Sequence, residues 1–323
     1  ISCSLVGSEM CIRDRYMLKN QLFWVEVEMT GITREKAARL VAEVLGTTPS
    51  HPESNCYHTR TIADQAARKW KIMRDSSIEA IRNDGTSEPL DEYRVEFVTP
   101  PLNYSDIELL QNIIRKLREN GAKAHSSCGI HIHVDGANHT AVSLRRLVNF
   151  MTARQDLIYE ALQIGDRESN WCHKLNKTLL DAMKKDKNLT KEKAEEIWYS
   201  RANDGYCGGI DHQHYNATRY HGVNLHSFFT KGTVEFRLFN STLHAGKIKA
   251  YIQFCLAVSA WAITSQEKIV FRSMDGYTPE QKVTIMRNIL THRLGLYGDE
   301  FKTCRLHLMT PLKKAAGMTC RAA

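Results

Sequence analysis

Nine side chains able to hold a cation or steady an anion recur at alternate positions of short apolar segments: Glu26, Glu28, Glu96, His131, His133, Asn224, His226, Glu235 and Arg237. Period-two spacing puts such residues on one face of a strand and their apolar neighbours on the other. Carboxylates gathered in this number repel one another unless cations neutralise them. A set rich in carboxylates with one or two imidazoles suits Mg²⁺ or Mn²⁺ better than zinc, because hard cations prefer oxygen ligands. An arginine among them suits a phosphoryl group in transfer, which needs charge stabilisation more than covalent help. Singly, each motif has an ordinary reading. Glu26 and Glu28 could line a solvated strand, and Glu235 with Arg237 could be a surface ion pair. Their conjunction on matching faces favours a metal–phosphate site.

The elements that must carry these groups are legible in the pattern. Phe23, Val25, Val27 and Met29 alternate with Trp24, Glu26 and Glu28. Similar alternation runs over Arg94–Thr99, over Ile130, Ile132 and Val134, over Val223–His226, and over Val234, Phe236 and Leu238. Lys69–Met73 reads as a short extended run ending at Asp75. Helices are expected over Arg34–Leu45, with Thr33 as N-cap and Gly46 as its stop, and over Asp106–Asn120, closed by Gly121. Others are expected at about 142–163, 190–200, 246–264 and 279–291. Residues 47–60, 83–92 and 203–217 read as loops or turns. The fold class this implies is α+β: a mainly antiparallel sheet with helices on one face and the ionisable set on a concave other face.

The 323 residues suffice for a large core, and 42% hydrophobic with 25% charged residues is ordinary for a globular protein. A net charge of +8 mildly favours an anionic ligand. The basic runs, such as Arg115, Lys116 and Arg118 or Lys184, Lys185 and Lys187, read as solvated helix faces rather than a nucleic-acid patch. Nine scattered cysteines with no C-x-x-C pair argue against a disulfide framework and for a reducing, cytoplasmic setting. Only Cys128, beside the H-x-H motif, is a candidate for function, with strand packing as the alternative. The longest apolar stretch, 250–263, is too short to span a bilayer. Residues 1–16 lack periodicity and are expected to be a non-native leader, with one domain over 17–315, a helical insertion at about 139–202 and a tail at 316–323.

Six runs are specific enough to resemble a family: FWVEVEMTGITREKAA (23–38), WKIMRDSSI (70–78), VEFVTPPL (95–102), CGIHIHVDG (128–136), RYHGVNLHSF (219–228) and TVEFRLFNSTLHAGKIKAYI (233–252). In this order they resemble the amidoligases of the carboxylate–amine ligase superfamily, with glutamine synthetase and glutamate–cysteine ligase. The resemblance implies a glutamine-synthetase-like catalytic domain that uses ATP and Mg²⁺ (or Mn²⁺) to join a carboxylate to an amine through an acyl phosphate. It implies Glu26, Glu28, Glu96, His131 and Glu235 as metal ligands, with Glu235 and Arg237 at the reacting phosphoryl group. His133, Arg219, Asn224, Lys247 and Asp75 would bind nucleotide or substrate. Partners would be small-molecule or peptide carboxylates and amines; membrane and nucleic acid are not expected, and the oligomeric state is open.

Two positions depart from the family pattern. Trp24 stands where a glycine is usual before the first acid, and could narrow the site. Ser76 replaces the glycine of a D-G-S motif, where a tight turn could need it. Two other readings stay open: a metal-dependent hydrolase using His131, His133, His212 or His214, and a non-catalytic basic binding module.

Overall fold

The computed structural model describes residues 15–82, 91–203, 209–266 and 273–319. Residues 1–14 of the expected leader, 83–90 of the expected turn, 204–208 of the expected loop and 320–323 of the expected tail lie outside that set.

Helix α1 covers residues 15–19 of the described chain. There follow β1 (Phe23–Met29), α2 (Arg34–Leu45), β2 (Arg60–Ala63), β3 (Lys69–Met73), β4 (Val95–Val98), α3 (Ile107–Glu119) and β5 (Gly129–Asp135). After these come α4 (Ala141–Leu162), α5 (Arg167–Asn170), α6 (Lys177–Lys185) and α7 (Lys191–Trp198). The chain continues through β6 (Val223–Asn224), α8 (His226–Lys231), β7 (Thr233–Asn240), α9 (Ala245–Thr264), α10 (Pro279–Asn288) and α11 (Lys302–Ala315). The chain forms two compact units. One comprises 22–132 and 239–251; the other comprises the chain up to Gln21, 133–238 and 252 onward.

In the first unit β2 pairs β3, β3 pairs β4 and β4 pairs β1, each antiparallel. The alternation in β1 does what its pattern requires. Phe23, Val25, Val27 and Met29 are fully buried, and Trp24 and Glu26 are partly exposed. Helix α2 starts where Thr33 Oγ1 accepts from the Lys36 N–H at 3.2 Å, and stops at Gly46, whose φ of 67° suits a residue without Cβ. Helix α3 buries Ile107, Leu110, Ile113, Ile114 and Leu117. That is one stripe at helical spacing. Lys116, on the exposed side, pairs with Glu43 of α2 at 2.8 Å.

Strand β2 begins at Arg60, the last residue of the loop expected at 47–60; it is four residues long and buries only Ile62, too little alternation to announce a strand.

The second unit is mainly helical, with β6 and β7 paired antiparallel. Helix α4 opens with Thr140 and Ser143 capping each other's backbone. Helix α6 carries Lys184 and Lys185 on its exposed side, as the reading of that basic run as a solvated helix face expects, and buries Leu179, Leu180 and Met183. The strand expected over Val223–His226 is shorter. It ends at Asn224, and His226 begins α8, its Nδ1 2.7 Å from the Tyr199 hydroxyl. His226 therefore leaves the ionisable strand face to which its spacing assigned it. No described helix is long and apolar enough to cross a membrane.

Candidate functional site

In the first unit the register itself gathers the acids. Glu28 and Glu96 are direct partners across β1 and β4, and Glu96 is opposite Met73 across β4 and β3. Asp75 lies two residues past Met73, the last residue of β3. Ligand atoms of Glu28, Asp75 and Glu96 all lie within 4.8 Å of one another. A second trio, Glu26, Glu96 and His131, meets the same limit and shares Glu96. Like charges placed directly across a sheet are destabilising, so this strand pairing needs something to offset it.

Hydrogen bonds hold several of these groups in place. The Gly129 N–H donates to Glu28 Oε2 at 2.6 Å. His131 Nδ1 lies 3.0 Å from Glu26 Oε2, and its Nε2 lies 3.8 Å from Glu28 Oε1. A carboxylate only accepts, so Nδ1 carries the proton and a neutral ring keeps its lone pair on Nε2. Glu28, Glu96 and His131 are buried, while Glu26 and Asp75 are partly exposed. Four carboxylates and one imidazole form an oxygen-rich donor set that fits one or two hard divalent cations.

The Asp75 turn also answers the question raised by Ser76. Asp75 Oδ1 accepts from the Ser77 N–H and the Ser77 hydroxyl, both at 2.7 Å. The non-glycine residues with positive φ among those described are His58, Ala67 and Gln163. Ser76 is not one of them, so the turn needs no glycine there. The sequence grouped Asp75 with nucleotide- or substrate-binding residues; the structure brings its carboxylate to the acids.

The second unit holds a separate buried cluster on β6 and β7. Asn224 and Glu235 are direct partners in the ladder, and Asn224 Nδ2 donates to Glu235 Oε2 at 2.6 Å. Arg237, two residues on and hence on the same face, donates from Nη1 to Glu235 Oε1 at 2.6 Å. The side chains of this ion pair are only 6% and 4% exposed, which overturns a solvated surface pair. Arg237 also donates a long bond, 3.4 Å, from Nε to the Trp171 carbonyl, and its guanidinium lies 5.9 Å from the Tyr220 ring centre. His133 Nδ1 is 2.9 Å from Thr233 Oγ1 and 3.3 Å from Ser227 Oγ; its Nε2 is 4.0 Å from Glu235 Oε1.

Arg219 and Lys247 are placed differently. Arg219 Nη1 donates to the His214 carbonyl at 2.7 Å, and its guanidinium is 5.6 Å from the rings of Tyr215 and Tyr220. Lys247 stands exposed in the first turn of α9. His212, a candidate of the hydrolase reading, is exposed and bonded to Glu195 at 2.6 Å, and His214 packs edge-on against Tyr215. Neither belongs, among the described residues, to a trio of possible metal ligands within 4.8 Å. Cys128 is buried beside the H-x-H strand. Spacing alone could not reveal the Ser227 and Thr233 hydroxyls around His133, or Trp171 and Tyr220 around Arg237. None of these shares a motif with the residue it touches.

The family model described as "Putative amidoligase enzyme" matches residues 19–259. The chain belongs to the amidoligase family. All six runs that carry the resemblance lie inside that match, as do all the candidate site residues placed above. No curated protein matches the chain. Among solved structures, a bifunctional glutathione synthetase from Pasteurella multocida is similar at 15% identity and a TM-score of 0.40, over 97% of this chain and 50% of that one. The amidoligase chain thus spans about half the length of that structure.

Proposed function

We propose that this amidoligase is an ATP-dependent carboxylate–amine ligase that forms an amide through an acyl phosphate, in the manner of a glutamine-synthetase-like catalytic domain. The observation that carries this reading is the convergence of Glu26, Glu28, Asp75, Glu96 and His131 within the first unit. A face of mutually repelling carboxylates is a poor partner for an anion unless cations accompany it. ATP brought in with Mg²⁺ or Mn²⁺ meets that condition. When bound, the divalent ions would neutralise phosphate charge and orient the transferring group.

In this reading a substrate carboxylate oxygen attacks the γ-phosphorus, the bond to the bridging oxygen breaks, and ADP leaves. An amine then attacks the acyl carbon, phosphate departs, and the nitrogen loses its proton. Arg237 contacts the phosphoryl oxygens as charge redistributes, and Glu235 and Asn224 fix its direction. His133 and Arg219 serve nucleotide or substrate, and Lys247 reaches toward a phosphate from α9. A reducing cytoplasm is the setting that nine scattered single cysteines suit. A hydrolase built on His212 or His214 lacks comparable support.

The test is ADP release by the purified protein with Mg²⁺-ATP, screened against panels of carboxylates and amines. Turnover should require nucleotide and divalent ion together. Arg237→Lys keeps the charge but loses the planar fork, so kcat should fall by about 10²–10³-fold with KM for ATP little changed. Turnover without nucleotide, or an undiminished Arg237→Lys enzyme that is folded, would reject the reading.

A further inference from the structure

The segment Trp171–His173 is a short strap whose backbone is tied on two sides. On one side it runs beside Tyr220–Gly222. His173 N–H donates to the Tyr220 carbonyl at 2.7 Å, Gly222 N–H donates to the His173 carbonyl at 2.9 Å, and His173 bridges His221 in parallel. The Gly222 carbonyl in turn accepts from the Arg237 backbone N–H at 2.8 Å. On the other side the strap meets Tyr159 of α4. Its hydroxyl lies 2.8 Å from the Cys172 carbonyl and 3.2 Å from the His173 carbonyl.

Three further facts show how tightly this arrangement is built. Tyr159 is 5% exposed, and burial pushes its phenol upward, so the hydroxyl stays protonated and is a donor at any working pH. A Cβ at Gly222 would overlap the Tyr159 hydroxyl and Leu238, so glycine is what lets the two backbones and the phenol meet. The strap reaches Arg237 twice: the Trp171 carbonyl accepts from its Nε, and the Trp171 ring packs edge-on, at 5.8 Å, against Tyr220, over which the guanidinium sits.

We infer that Tyr159 is a positioning residue for Arg237, its hydroxyl fixing the 171–173 strap whose carbonyl and tyrosine neighbour aim the guanidinium. This rests on the reading of Arg237 as the phosphoryl contact. Tyr159 touches no reacting atom. It acts through two backbone carbonyls and the segment that carries them, and a displacement of about 1 Å at a catalytic group is enough to cost on the order of 10²-fold in rate.

Cys172 supplies a reporter inside the strap. It is fully buried, and burial pushes its thiol up to about 11, so it should label slowly at neutral pH while the strap holds. The experiment compares full-length wild type, Tyr159→Phe, Arg237→Lys and the double variant. It measures Cys172 labelling by a thiol reagent, located by peptide mass spectrometry, and Mg²⁺-ATP turnover. Tyr159→Phe should raise Cys172 labelling by about tenfold or more and lower kcat about 10–100-fold with KM for ATP nearly unchanged. Because Arg237 and Tyr159 grip the same segment, their labelling effects should be non-additive. If Tyr159→Phe loosens Cys172 but leaves kcat intact while Arg237→Lys lowers it, the inference fails and the ligase reading stands. If the wild type turns over no ATP, the ligase reading fails, and the labelling cycle still decides whether strap and arginine are coupled. Additive effects overturn the inference whatever the enzyme does.

Discussion

Replacing Asp75 by asparagine separates a metal ligand from a turn residue. Its carboxylate sits within 4.8 Å of those of Glu28 and Glu96. Two unit charges at that spacing repel by about 1 kcal/mol at the dielectric of water and by about 3.5 kcal/mol at an effective dielectric of 20. Asp75 is partly exposed, so the lower end applies, and removing one charge relieves two such pairs. Asparagine keeps an oxygen to accept from the Ser77 N–H, which preserves the turn. The ion-free Asp75→Asn protein should therefore melt no lower than wild type, and up to about 2–4 °C higher. With Mg²⁺ the order should reverse. At an ion concentration 100 times the dissociation constant, binding stabilises the native state by about 2.7 kcal/mol. A 100-fold loss of affinity would cut that to about 0.4 kcal/mol.

Thermal melts across a Mg²⁺ series, with and without a non-hydrolysable ATP analogue, read both effects at once. A wild-type-sized Mg²⁺ shift in Asp75→Asn would mean that the acids gather for some reason other than a cation. A large loss of stability in the ion-free variant would instead place Asp75 among residues that hold the fold.

Other substitutions separate the two clusters. Glu235→Gln should behave oppositely to Asp75→Asn and lose on the order of 3–5 kcal/mol in chemical denaturation, because it leaves the Arg237 charge buried with a neutral partner; a variant as stable as wild type would refute this. His139, bonded to Ser143 and Ser259, has its pKa lowered to about 4 by burial, with Lys191 adding to the effect. The unfolded chain takes up that proton first, so the stability from this group is complete above about pH 6.5 and falls away, by on the order of 3 kcal/mol, as pH drops toward 4. His139→Gln should flatten that part of the stability–pH curve, and an unchanged slope would exclude the group.

What the sequence made legible follows from how far each signal reaches along the chain. Strands β1, β5 and β7 announce themselves because a buried face and a polar face alternate over seven or eight residues. Helices α2 and α3 do so through their caps and stripes. The metal candidates on them were readable for the same reason, since period two fixes which side chains share a face. Asp75 was readable only as part of a motif, because its strand ends two residues earlier and its role depends on the β3–β4 register. His226 was misplaced because two residues of alternation cannot distinguish a strand's end from a helix's start.

The strap around Arg237 lay beyond any such signal, and the reason is physical rather than statistical. Tyr159 acts through its hydroxyl on two carbonyls, and every residue type supplies a carbonyl. Spacing in the chain carries no trace of a bond whose acceptor has no side-chain identity. Only Gly222 hints at it, because the absence of a Cβ there is what the Tyr159 hydroxyl demands. Groups that touch the reacting atoms must be particular residues at particular spacings, and so they recur as motifs. Groups that aim them need only the right shape behind a backbone. The proposed phosphoryl contact, Arg237, could thus be picked out from one sequence, whereas the strap proposed to aim it had to come from the fold.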